Sequence, residues 1–328
     1  METLQTVARR FGVHASTVSR ALRVPRKPTE NPTTLAIREY ADQTGFRPNA
    51  SASSLRTNKT RTIGVLVPSV VDSIHAEIYT GVDKAAVGAG YTTVLSVTSN
   101  LGVTDESRAD SLVSSRADGI VIQDSHDDDP LPDHLRRLGI PFVMTLRRAG
   151  DNPFVALDDR RGGRLAALHL LENRPTTQVV VTVSDSLPTF KSRVNGFMDT
   201  WKEHRDDDVE VLYSGLTAED GRTVARRLLD RGSVPDSVFV CSDQTAAGFM
   251  AEMWNSGLKA GTDYALVGFN DIELADLLPV PLTTVESPHR ELGRISTQTL
   301  LNLVENKPAN SVLVTPTLTV RRSGRLAK

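Results

Sequence analysis

Leu4, Val7, Ala8 and Phe11 recur at i, i+3, i+4 and i+7, one apolar stripe of a helix. Thr3 stands where an N-cap belongs, and Gly12 can take the left-handed backbone that ends a helix. A second helix starts near His14–Ala15, with Val18, Ala21 and Leu22 inward. That register leaves Ala15, Ser16, Thr17, Ser19 and Arg20 partly or wholly outward. Asn31-Pro32 is a cap followed by a first-turn proline; Ile37, Tyr40 and Ala41 give a third helix its stripe, and Gly45 stops it.

From Thr62 the pattern changes to apolar runs of strand length alternating with helical stretches. TIGVLV, TTVLSV, GIVIQ and PFVMTL form one series of strands; QVVVTV, VEVLY, SVFVC and YALVGF form a second. Helices such as AEIYTGVDKAAVGAG and DESRADSLVSSRA lie between them. The alternation predicts parallel sheets with helices on both faces, and two series predict two similar lobes. No short sequence repeat is visible.

Charge divides the 328 residues at the same place. Residues 1–60 hold ten Lys and Arg against four acids, a balance of +6 in a chain of net charge −2. A basic head on an acidic body points to a polyanion-binding module, with a merely solvated basic face as the alternative. Three short helices with a glycine turn between the first two make a helix-turn-helix, whose second helix lies in the major groove of DNA. Small residues permit close approach, hydroxyls bond phosphates or bases, and Arg20 can grip a guanine with two bonds. A plain three-helix bundle without a ligand is the competing reading.

Cys241 is the only cysteine, which excludes an internal disulfide and a cysteine-rich metal site. METLQTVARRFG has no secretion-signal pattern and no apolar run reaches membrane-spanning length, so a cytoplasmic protein without a membrane partner is expected. The nucleophile elbow, zinc-protease, P-loop and C-x-x-C patterns are absent, and neither a cofactor, a metal nor enzymatic activity is expected. GAGYTT at 88–93 follows a helix and has Thr93 in place of a third glycine, so it is no dinucleotide loop. The acidic clusters 127–129 and 206–208 read as solvated loops.

VARRFGVHASTVSRAL, followed by GFRPNASASSLRTNKTRTIGVLVP, resembles the start of the lactose-repressor (LacI/GalR-type) family of bacterial transcription regulators. Phe11 replaces the family's usual alanine and His14 its usual serine. The resemblance continues through ADGIVI, ALDDRRGGRLAALHLL, SRVNGF, VFVCSDQTAAGFM, ALVGFNDIELADLLPVPLTTVESPHRELGR and LTVRRS. It implies a helix-turn-helix domain at 1–48, a hinge helix and linker at 49–61, and an effector-binding and dimerisation domain at 62–328. The last would be a periplasmic-binding-protein-like body of two doubly wound lobes, about 62–157 with 288–313, and 158–286 with 316–325. The chain would cross between lobes near 157–159, 285–288 and 313–318.

By the same resemblance Ala15, Ser16 and Arg20 read bases, with Arg23 beside them, and Thr17 and Ser19 meet phosphates. Thr3 and Asn49 also face DNA. Leu55 is the wedge a hinge helix drives into the minor groove, next to Arg56; Ser53 stands where an arginine is common. Between the lobes, Arg193 and Asn270 are the implied effector-gripping residues, Asn270 in place of a common aspartate. Ile74, His75 and Leu216 stand where aromatics are usual, and Leu146 where an aspartate is usual. Ser69, Asp72 and Gln123 are further candidates. For single residues bland readings also hold: Arg193 could pair with Asp185 on the surface, and His75 could sit in water at a helix start. Asp158 could bond across the lobes.

The implied function is a ligand-responsive repressor, a homodimer or a tetramer, on a pseudo-palindromic double-stranded operator. A sugar-like or small polar metabolite controls it, as inducer or corepressor. A solute-uptake binding protein and a sugar-acting enzyme are the alternatives; the basic head argues against the first and the missing acid–base or nucleophile set against the second.

Overall fold

The computed structural model describes residues 2–23, 29–47, 59–98, 106–123, 129–183 and 187–326. The chain divides into two compact units, Met1–Thr60 and Arg61–Lys328.

The first unit holds α1 (Leu4–Arg10), α2 (Ala15–Arg23) and α3 (Pro32–Thr44). Thr3 and Thr6 form a reciprocal capping box on α1, and Asn31 Oδ1 accepts the Thr34 amide at 2.7 Å to start α3. Gly12 and Gly45 take φ of 62° and 66° where the helices end. Val7, Ala8, Val18, Ala21, Ile37, Ala41 and Phe46 form the core. Each fully buried Val or Ile contributes roughly 1.5–3 kcal/mol. Phe11 meets Tyr40 edge-on at 5.6 Å between centroids, so its larger ring is absorbed on the α1–α3 side.

The second unit is two doubly wound lobes. The first contains β1 (Thr62–Val67), α4 (Ser73–Gly88), β2 (Thr92–Val97), α5 (Glu106–Ser114), β3 (Gly119–Ile122), α6 (Leu131–Arg137), β4 (Phe142–Leu146) and β5 (Phe154–Leu157). The second contains α7 (Asp159–Leu171), β6 (Gln178–Thr182), α8 (Pro188–His204), β7 (Glu210–Tyr213), α9 (Ala218–Asp230), β8 (Ser237–Val240), α10 (Asp243–Asn255), β9 (Ala265–Asn270), α11 (Leu274–Leu277) and β10 (Thr283–Glu286). The chain then returns: α12 (His289–Val304) packs on the first sheet, β11 (Val312–Val314) joins that sheet, and β12 (Thr317–Thr319) joins the second.

The strand orders are β2-β1-β3-β4-β5-β11 and β7-β6-β8-β9-β10-β12, the same winding twice. All neighbours run parallel except β12, which is antiparallel to β10. Each sheet buries apolar clusters on both faces, which is why its strands read as continuous apolar runs. β10 and β12 escape the apolar-run pattern because they are rich in threonine, and β11 because it spans only three residues. Among the described residues no helix is long and apolar enough to cross a membrane.

Neighbouring helices of the second lobe touch through glycines. A Cβ at Gly163 would collide with the Arg193 carbonyl, and one at Gly196 with the Arg160 carbonyl. This close approach of α7 and α8 sets Arg193 against the first residue of α7. Asp158 caps that helix, its Oδ1 accepting the Arg161 amide at 3.0 Å, so its bond is local and not across the lobes.

Candidate effector cleft and DNA-facing helix

A cleft of about 670 Å³ opens at the carboxyl ends of both sheets, where doubly wound folds bind ligands. The first lobe supplies Asp72, Ser73, Ile74 and His75 from the start of α4, with Leu146 and Arg147 from the end of β4. The second supplies Thr189, Phe190 and Arg193 from α8, Leu216, Ser242 and Gln244, and Asn270 and Ile272 around the end of β9. Leu146 and Asn270 end the same strand of the two windings, and both have positive φ, 74° and 114°. Non-glycine residues pay strain for such backbone, and strain of this kind gathers at ligand sites.

Arg193 is buried, not on the surface. Its Nε donates to Asp159 Oδ1 at 2.8 Å and its Nη1 to the Cys241 carbonyl at 2.7 Å. Its guanidinium lies 3.6 Å from the Phe269 ring centroid and 4.9 Å from that of Phe190. Two of five N–H groups are thereby used, which leaves three for a ligand. Burial pushes the Asp159 carboxyl up to about 6 against the pull of Arg193. Burial also pushes the Cys241 thiol up to about 12, so this cysteine is an inert member of the core behind Arg193.

Asn270 is 4% exposed and its Oδ1 has no hydrogen-bond partner. A buried acceptor left unmade costs about 1–3 kcal/mol, which a donor on a ligand recovers. The corner behind it is held by Asp243, whose Oδ1 accepts from Thr284 Oγ1 at 2.6 Å and Oδ2 from the Ile272 amide at 3.0 Å. Burial raises this carboxyl to about 6.

Asp72, Ile74, His75, Leu146, Arg193, Leu216 and Asn270 come together in the cleft. Ser69 and Gln123 do not line it. Ser69 Oγ accepts the Val71 amide at 3.2 Å, and Gln123 is fully buried behind His75, with its Oε1 3.1 Å from His75 Nδ1. His75 is 4% exposed, so it is a wall residue and not a solvated one. Asp72 spends its Oδ1 on the Ile74 amide at 2.8 Å, as the cap of α4.

Ser73, Arg147, Thr189, Phe190, Ser242, Gln244 and Ile272 are lining residues that motif reading missed. Thr189 and Phe190 precede Arg193 by four and three positions, so helical spacing alone places them on its face. Phe190 supplies the cleft with an aromatic surface. The acidic clusters differ from expectation at Asp129, which is buried just before α6, its Oδ1 accepting the Leu131 amide at 2.9 Å. Residues 127–128 and Asp185 lie outside the described residues. Among the described residues no three His, Cys, Asp or Glu side chains could share a metal ion.

In the first unit Ser16, Thr17 and Arg20 are exposed on α2, and Ala15 and Ser19 half-exposed. His14 takes over the capping duty: its Nδ1 accepts the Ser16 amide at 3.3 Å and lies 2.8 Å from Ser16 Oγ. Accepting at Nδ1 requires the ring proton on Nε2. The Ser16 hydroxyl is thus held by its neighbour. Thr3 is exposed, but its hydroxyl serves the α1 cap. Asn49, Ser53, Leu55 and Arg56 lie outside the described residues, as does the Arg23 side chain.

Residues 60–321 match the family model for periplasmic binding proteins and the sugar binding domain of the LacI family. The chain belongs to the LacI family. A ribose operon repressor of Halalkalibacterium halodurans is 30% identical over 316 residues, 95% of this chain and 93% of the relative. The HTH-type transcriptional repressor PurR of Vibrio parahaemolyticus is 28% identical over 312 residues, 94% and 93% of the two chains. Among solved structures, a complex of the transcriptional regulator CelR with cellobiose has 26% identity and a TM-score of 0.74, covering 99% of this chain and all of that one, 100%. The Lac repressor dimer bound to operator and the anti-inducer ONPF shares the fold at a TM-score of 0.83 and 24% identity, with 99% of each chain covered. This LacI-family chain is a transcription regulator and not an enzyme, in line with its repressor relatives.

Proposed function

We propose that the chain is a cytoplasmic, homodimeric repressor that binds a pseudo-palindromic operator and is switched by a small sugar-like or polar metabolite held between its lobes. The observation that carries this reading is the pairing of Leu146 and Asn270, one strained strand end from each lobe in a single cleft. A ligand there touches both lobes, so its binding energy depends on their angle, as differential affinity for two states demands. Arg193 offers donors to hydroxyls, the Asn270 side-chain Oδ1 accepts from one, and Phe190 with Leu146 and Leu216 packs the apolar face of a ring.

DNA reading falls to residues 1–48, where Ala15, Ser16 and Arg20 approach bases, with Arg23, while Thr3, Thr17 and Ser19 meet the backbone. Asn49, Leu55 and Arg56 act from the hinge, 49–61. Dimer contacts come from the first lobe, including the helix near 75–89; a tetramer is the alternative assembly. Arg20 stands exposed on α2 with a hydroxyl row beside it, which supports this assignment.

Selection of bound duplexes by the full-length protein tests the reading. A two-fold symmetric consensus, with occupancy changed by a metabolite of the neighbouring operon, is expected. Salt-sensitive adhesion to every duplex alike would reject it. Sedimentation at micromolar concentration separates dimer from tetramer.

A further inference from the structure

The cleft continues into a second chamber of about 430 Å³. Leu146, Arg147 and Thr189 line both chambers, and Arg148, Arg160 and Ser192 belong to the second alone. Three observations there converge on negative charge. The 17-residue α8 begins at this wall with Pro188 and Thr189; its N-cap is Leu187, which has no side-chain cap, and no acid stands in its first turn. The partial positive charge of its leading N–H groups is met by no acid of its own first turn. Thr189 is 7% exposed and its hydroxyl has no hydrogen-bond partner, so a buried donor waits at that helix start. Three arginines, Arg147, Arg148 and Arg160, line the chamber beside two carboxylates: Asp158, which caps α7 through the Arg161 amide at 3.0 Å, and Asp159, which is held by Arg193 at 2.8 Å. Arg160 pairs with Asp199, and the Arg148 guanidinium lies 5.9 Å from the Phe154 ring, on the chamber rim.

We propose that the second chamber is an anion subsite, so that the effector is a hydroxylated compound carrying a carboxylate or a phosphate. Its hydroxyls lie in the first chamber against Arg193 and Asn270, and its charged end lies at the start of α8. Guanidinium forks suit both anions. This inference rests on the reading of the cleft as the effector site and adds the class of effector.

The test uses full-length protein and simple anions. Thermal unfolding is followed at pH 7 and equal ionic strength in chloride, acetate or inorganic phosphate. Acetate, phosphate or both are expected to raise Tm by about 2 °C or more over chloride, as linkage requires of a ligand held by the native state. Arg148→Gln removes a rim cation, and Ser192→Asp sets a carboxylate in the chamber; each is expected to lose at least half of that rise. A rise with phosphate alone assigns a phosphate ester, and one with acetate alone a carboxylic acid. No rise over chloride, or a rise that both variants keep, overturns the proposal. Arg148 is exposed, so its variant folds even where the serine variant does not. The outcome is separable from the cleft reading: a neutral sugar that releases operator while phosphate does nothing leaves the cleft and removes the subsite. An anion effect lost in the variants, with no metabolite acting on operator, does the reverse.

Discussion

Arg193 and Asp159 meet at 2.8 Å, both buried, one from α8 and one from the first turn of α7. The pair links the effector wall to the helix that follows the first crossing between lobes. Around it lie the Cys241 carbonyl, two aromatic rings and two crossing glycines. Removing one member strands the other. Arg193→Met is expected to cost roughly 3–5 kcal/mol of stability and to abolish the effector response. The double variant Arg193→Met, Asp159→Leu regains most of the stability, because two apolar groups replace the pair, but not the response. Urea unfolding and operator release measure the two effects separately; parallel recovery of both would show that Arg193 is only a structural ion-pair member.

The buried carboxyls predict a pH dependence with a definite sign. Asp243 has its folded-state value raised by burial from 3.8 to about 6. An acid with a raised folded value binds more protons when folded, so stability is fully present below about 4 and declines as pH rises through about 6. The decline from this residue is on the order of 3 kcal/mol. Asp243→Asn cannot titrate, and its stability is expected to vary less between pH 4.5 and 7 than that of the parent. Urea midpoints for both proteins at the two pH values check this; equal slopes would mean that Asp243 stays ionised in its cage.

Much of this organisation is legible in the amino-acid order. Period-3.6 stripes and the Gly12 and Gly45 stops define the head, and the apolar runs define the central strands of both sheets. Arg193 and Asn270 are readable because their flanks, SRVNGF and GFND, are distinctive. Other features are invisible for physical reasons. β10 and β12 are threonine-rich and gain their place from neighbours, not from their own apolarity. Gln123 follows an apolar strand and has the sequence context of a lining residue, yet it sits one layer back, bonded to His75. The bend at Leu146 follows from no local residue preference, since leucine does not favour φ of 74°.

That strain also makes Asn270 separable into two parts. Its φ of 114° suits glycine, and its Oδ1 is buried without a partner in a residue that lines the cleft. Asn270→Gly is expected to keep or raise Tm, because strain of roughly 1–3 kcal/mol is relieved, and to weaken effector binding by tenfold or more. Asn270→Val keeps the strain, adds a β-branch and lowers Tm. Calorimetric melting beside effector titration decides; a glycine variant that binds effector normally would remove Asn270 from the site.

The head offers a test that separates capping from base reading. His14 Nδ1 accepts the Ser16 amide and holds the Ser16 hydroxyl, so His14→Ala removes a cap worth about 1 kcal/mol. It also frees Ser16 to turn. Operator affinity is expected to fall while the preferred sequence changes only at the base facing Ser16. His14→Ser restores the cap and the affinity. Arg20→Ala behaves differently: it loses roughly 1–3 kcal/mol on the preferred operator and relaxes choice at one base pair, with α2 intact. Binding curves on the selected operator and its single-base variants distinguish the two. If Arg20→Ala weakens every duplex by the same factor, Arg20 grips phosphate, and the reading of bases passes to the other exposed residues of α2.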